Sequence, residues 1–147
     1  PLYIMALSKK FWIIGGALII IIMAWYLVSP AFRVIEKQET ISQEAEIISQ
    51  GRFISSAHEV EGTAFLINEN GKKVIHFKNF ETINGPDLHI YLSSDIEGED
   101  YIDLGKIKAT KGNINYEIPD NIDTARYNKI LVWCVPFKVL FSYAELK

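Results

Sequence analysis

The stretch KVIHFKNFETINGPDLHIYLS, residues 73–93, decides the fold. Ile75 and Phe77 fall on one side of an extended chain, with His76 and Lys78 on the other. Past Asn84-Gly85-Pro86, Leu88, Ile90 and Leu92 oppose His89 and Tyr91. A period of two on either side of a turn is the pattern of strands with one face built to be buried. Outward from this stretch, Gly62, Asn70-Gly71, Gly98, Gly105, Gly112 and Pro119-Asp120-Asn121 recur at short intervals, the punctuation of an antiparallel β domain. Strands are expected over residues 52–57, 63–68, 73–80, 88–93, 101–104, 113–118, 129–135 and 137–146. Residues 51–147 number 97, near the ~100 of a two-sheet sandwich and enough for a core without disulfides. The expected class is all-β, an antiparallel β-sandwich or barrel-like domain at 51–147 preceded by one N-terminal transmembrane helix.

That helix is read from FWIIGGALIIIIMAWYLV, residues 11–28, which are 18 residues without a charge. As a helix they span ~27 Å, close to the ~30 Å hydrocarbon core of a bilayer. The anchor is placed at 11–32 after a short tail at 1–10, with Met5 of MALSKKFW expected as the natural start. A cleaved signal peptide also begins with a lysine pair and an apolar run. Here the run exceeds the ~7–15 residues of a signal core, and VSPA, residues 28–31, is a poor cleavage site. No cysteine stands near residue 30 to take a lipid. A retained signal anchor follows. Lys9 and Lys10 face Arg33 and Lys37, which Glu36 and Glu39 dilute, so the N-terminus is expected in the cytoplasm and the C-terminal domain outside a cell membrane crossed once.

Residues 33–50 are expected to be a stalk or linker. VIEKQETISQEAEIISQ has no Gly or Pro, and Ile35, Ile41, Ala45 and Ile48 recur at loosely helical intervals, so a helical stalk is the reading and a disordered tether its alternative. Only Lys9 and Lys10 of the 15 basic residues precede residue 33, so the remaining 13 share the rest of the chain with all 18 acidic residues. Such a domain is a poor binder of phosphate backbones, and no nucleic-acid partner is expected.

Familiar chemistry lacks its parts. There is no Gly-rich phosphate cradle, no GxSxG elbow and no HExxH, so no autonomous enzyme is visible. One cysteine rules out a multi-cysteine zinc site, and VPF after Cys134 rules out CxxCH haem attachment. A blue-copper centre needs His and commonly Met beside its cysteine, and the tail VPFKVLFSYAELK has neither. SDIEGED carries Asp95, Glu97, Glu99 and Asp100 but not EF-hand spacing, so a solvated loop is expected rather than a calcium site. His58, His76 and His89 stand at no metal-binding spacing and are each expected as exposed strand residues; no metal is assigned.

Four segments together carry a resemblance: GRFISSAHEVEGTAFLI, VIHFKNFETINGPDLHIYLS, YIDLGKIKATKGNINYEIPD and YNKILVWCVPFKVLFSYAEL. Over residues 51–146 the chain resembles the DM-thirteen domain, which accompanies DOMON domains in Skeletor-type proteins. Single-domain, membrane-anchored prokaryotic members look like this chain. The resemblance implies an all-β extracytoplasmic module with an electron-transfer or thiol-redox role, resting on a cysteine that matches Cys134. It implies a redox or cell-envelope protein partner and leaves the cofactor unknown.

Two readings of Cys134 stand. Alternation puts Ile130, Val132 and Cys134 on one face of a strand and Leu131, Trp133 and Val135 on the other. Both faces are apolar, so Cys134 reads as a small core residue in a binding module without redox chemistry. As a redox centre it needs access to partners, which Pro136 would provide by interrupting the ladder, with Lys138 the nearest positive charge. Trp133 and Tyr91 are possible neighbouring aromatics.

Overall fold

In a computed structural model, residues 2–29 and 33–147 are described. Residues 30–32, the end of the expected anchor and part of VSPA, lie outside them. The chain forms an N-terminal helix, α1 (Leu2–Val28), and nine strands: β1 (Glu36–Gln38), β2 (Glu46–Ser55), β3 (Val60–Glu69), β4 (Lys72–Thr82), β5 (Leu88–Ser93), β6 (Tyr101–Lys106), β7 (Lys111–Glu117), β8 (Lys129–Cys134) and β9 (Val139–Glu145). Within α1, Lys9–Tyr26 is long and apolar enough to cross a membrane, and none of it is buried against the rest of the chain.

The strands make one curled sheet, a half-barrel, in the order β1-β7-β4-β3-β2-β9-β8-β5-β6. The curl turns on β2. Its first part, through Arg52, pairs with β3, and its last part, Phe53 to Ser55, pairs with β9. Gly51 stands at the change of partner, and a Cβ there would collide with the Glu145 carbonyl of β9. A residue without a side chain lets the two backbones cross. Phe53, the first residue past the change, lies 4.9 Å from the rings of both Phe77 and Phe80. The core gathers around it from both halves of the curl: Ile75 and Ile114 from one, Ile90, Ile130 and Val132 from the other, all fully buried.

The alternating strands lie where their pattern placed them, β5 residue for residue. Residues 33–50 do not form the expected helical stalk. Residues 36–38 form β1 and residues 46–50 open β2. β1 pairs with β7 in parallel, the exception in an otherwise antiparallel sheet. Gly112 of β7, at φ +115°, admits the Lys37 carbonyl where a Cβ would sit, and Ile35 accepts hydrogen bonds from the Thr110 and Lys111 N–H groups. Edge pairing here outweighs the helix propensity of Glu and Gln, which is a weak preference of tenths of a kcal/mol per residue. A bulge between Ile47 and Ser49 breaks strict alternation and hides β2 from a period-two reading.

Replacing Gly51 with valine is expected to destabilise the domain by at least about 2 kcal/mol, the scale of a forced backbone shift at a packed crossing. A denaturant midpoint unchanged from the parent protein would show that the crossing does not require glycine.

Candidate functional site

Cys134 closes β8. Its strand lies between β5 and β9, and its backbone partners are Leu88 and Val139. The side chain is 1% exposed and belongs to the core formed by Ile130, Val132, Leu88 and Phe141. Pro136 does not open the strand end as the sequence suggested. The Val135 N–H still donates to the Asp87 carbonyl at 3.0 Å, and residues 135–138 then turn, with Lys138 at φ +51° in the left-handed region. Lys138 itself is exposed. The apolar alternation of ILVWC is thus that of a strand buried on its inner face and mostly covered on its outer one.

The outer face carries an aromatic stack. Tyr91 on β5 lies parallel to Tyr101 on β6, with ring centroids 4.0 Å apart and planes within 13°, and it stacks on Trp133 of β8 at 6.1 Å. Trp133 is next to Cys134 in sequence yet points to the opposite side of the sheet, as alternation requires. Gly98 of the loop before β6 leaves room for the Trp133 ring, which a Cβ would press at 3.1 Å. Tyr101 is 43% exposed, so the stack reaches the surface. His89 stands beside Tyr91 between two carboxylates, with Nδ1 2.7 Å from Asp103 and Nε2 3.5 Å from Asp87, which also accepts from Lys106.

The three histidines do not converge, and none is the exposed strand residue expected. His58 lies outside the strands with its ring 4.0 Å from that of Phe141. His76 is buried on β4 against Asn115. In SDIEGED the carboxylates hold the loop itself: Asp95 accepts from the N–H groups of Gly98, Glu99 and Asp100. Asp100 accepts from Ser94, Arg126 and Tyr127, and these bonds, Ser94 foremost, hold its carboxyl below the usual range. Missed at the sequence level were the pairing of Tyr91 with Tyr101, which needs the β5–β6 register, and the burial of His76, which a polar-face reading concealed.

Burial, then the hydrogen bond to Tyr101, then nearby negative charge including Asp103 and Asp87, push the Tyr91 hydroxyl up to about 12 from an ordinary 10.0. A tyrosine raised in the folded state stabilises fully below its unfolded value. That stability is lost as pH rises from about 10 to about 12. Ultraviolet titration is expected to show late tyrosinates, Tyr91 among them beside the buried Tyr116 and the Asp100-bound Tyr127, and Tyr91→Phe to remove one of them. A late phase undiminished in Tyr91→Phe would show that the Tyr91 hydroxyl is not raised.

A family model described as electron transfer DM13 matches residues 52–146, from the middle of β2 to the residue after β9. No curated protein and no solved structure matches the chain. The match covers well over half of the sequence and takes in Cys134, Tyr91 and Trp133, and on that ground the chain belongs to the electron transfer DM13 family.

Proposed function

We propose that the protein is a membrane-anchored, extracytoplasmic electron-transfer domain whose redox-capable atom is the Cys134 sulfur. Membership of an electron-transfer family over residues 52–146 is the observation that carries this reading. The apolar helix α1 supports the anchor, and the lysine pair before it supports an outward domain. With one cysteine per chain, a thiol step takes the form of exchange with a disulfide on another molecule. The Cys134 sulfur bonds to one sulfur of that disulfide, the other leaves as a thiolate, and the Cys134 proton passes to solvent. At 1% exposure, this exchange requires the β8–β9 end to open.

The burial of Cys134 favours a second reading, a cell-envelope binding module in which the cysteine only packs and the Tyr91–Tyr101–Trp133 face meets a partner. The two separate in one experiment on the full chain in lipid nanodiscs. Its visible spectrum and metal content are recorded, and thiol-reagent kinetics are followed before and after unfolding. Electron transfer through Cys134 predicts a redox signal that Cys134→Ser abolishes while near-ultraviolet circular dichroism stays unchanged. A colourless, metal-free chain whose thiol reacts only when unfolded, and whose Ser variant is indistinguishable from it, would overturn the electron-transfer reading in favour of binding.

A further inference from the structure

A second site lies on the opposite half of the sheet, under the segment once expected as a stalk. Leaving β1, residues 39–45 cross the outer face of β3, β4 and β7. Hydrogen bonds to the sheet tie them down. The Glu39 N–H donates to the Asn113 carbonyl at 2.8 Å, Glu39 Oε2 accepts from the Asn115 N–H at 2.6 Å, and the Ser42 N–H donates to Glu69 at 2.6 Å. Burial raises Glu39, but its bonds to Lys37 and to the Asn115 N–H outweigh this and hold it below the ordinary carboxylate range, so it is ionised and engaged. Beneath this strap is a cleft of about 350 Å³, the size of a small-ligand pocket, walled by Ile41, Ile47, Phe65 and Ile67.

His76 lines the cleft and is only 6% exposed. The hydrogen-bond network fixes its tautomer. Asn115 donates its Nδ2 to the Thr40 carbonyl at 3.1 Å, which turns its Oδ1 toward His76 Nδ1 at 2.6 Å. Oδ1 is an acceptor only, so Nδ1 carries the proton, and in the imidazole form the lone pair lies at Nε2. Among the described residues Nε2 has no hydrogen-bond partner, and it is not one of the sealed unsatisfied atoms, Asn68 Oδ1 and Ser142 Oγ. It opens instead on the cleft that the ring lines. Two residues along the same strand face, with Cα atoms roughly 6–7 Å apart, Lys78 stands exposed at the mouth with no ion pair among the described residues.

The cleft therefore offers a buried acceptor, apolar walls with one aromatic ring, and an unpaired cation on a flexible stem at its mouth. A carboxylate ligand would meet the Glu39 charge at close quarters. We infer that the cleft binds a small neutral phenol of the hydroquinone class, its hydroxyl donating to His76 Nε2 and a second oxygen across the ring accepting from Lys78. The inference rests on this geometry and is independent of Cys134.

The test titrates the full chain in lipid nanodiscs with 4-methoxyphenol, which has one donor and one acceptor oxygen across the ring. Saturable binding is expected, weakened at least tenfold for 1,4-dimethoxybenzene, which lacks the donor. The His76→Phe variant is expected to lose a similar factor, and Lys78→Met about threefold. On saturation of the unsubstituted protein, the 15N resonance of His76 Nε2 is expected to move as its lone pair becomes engaged. Absence of saturable binding, equal affinity for the dimethoxy compound, or an unmoved Nε2 resonance would each overturn the assignment, whatever becomes of the folding of His76→Phe. A long-chain alkyl hydroquinone dissolved in the bilayer then identifies the source. Displacement of 4-methoxyphenol assigns the ring to the membrane, and no displacement assigns it to water-borne phenols.

Discussion

The change of partner along β2 is the constraint on which the rest of the structure depends. A single strand hydrogen-bonds to β3 for most of its length and to β9 at its end, so the sheet must fold over at Gly51. Because the fold-over is continuous through one strand, the two halves of the sheet share a core instead of merely packing as separate layers. Phe53 fills the corner against Phe77 and Phe80, where edge-to-face and tilted contacts add to simple burial. The same curl brings β8 inward, and with it Cys134.

Curling also gives the two faces of each strand different work. On β8 the inner face, Ile130, Val132 and Cys134, is sealed, while the outer face presents Trp133 to Tyr91. On β4 the inner face, Ile75 and Phe77, is core, while the outer face presents His76 and Lys78 to the strapped cleft. Function on such a sheet is expected on the outer faces, where a polar atom can be left unpaired without the full cost of sealed burial. Cys134 is the exception, an atom of chemical interest on the sealed side.

How much of this was legible follows from the physics of each element. β5 and the core of β4 were readable because Leu88, Ile90, Leu92, Ile75 and Phe77 alternate without interruption. β1 and the start of β2 were not, because three residues of edge pairing and a bulge leave no period in the sequence. His76 read as a polar-face residue, which it is; its burial comes from the strap, a long-range contact that local alternation cannot encode. Cys134 was legible as a residue with apolar neighbours on both faces. Whether Pro136 left the strand end open depended on the hydrogen bond from Val135 to Asp87, which connects segments far apart in sequence.

That bond also bears on the proposed thiol route, because it helps close the strand end over Cys134. A sulfur under the last pair of a strand is reached by local opening, and opening here must release the Val135 to Asp87 bond and the pairing of Cys134 with Val139 and Leu88, not the whole sheet. Such partial openings cost less than global unfolding, most of all at a hairpin end next to an exposed turn. Val135 and Phe137 lie exposed on that turn, so a partner docking there would act on the element that gates the thiol. On the proposed thiol reading, the rate of exchange would therefore follow the opening of the β8–β9 end. The Tyr91–Tyr101–Trp133 stack, already at the surface on the other side of the same strand, has no such gate.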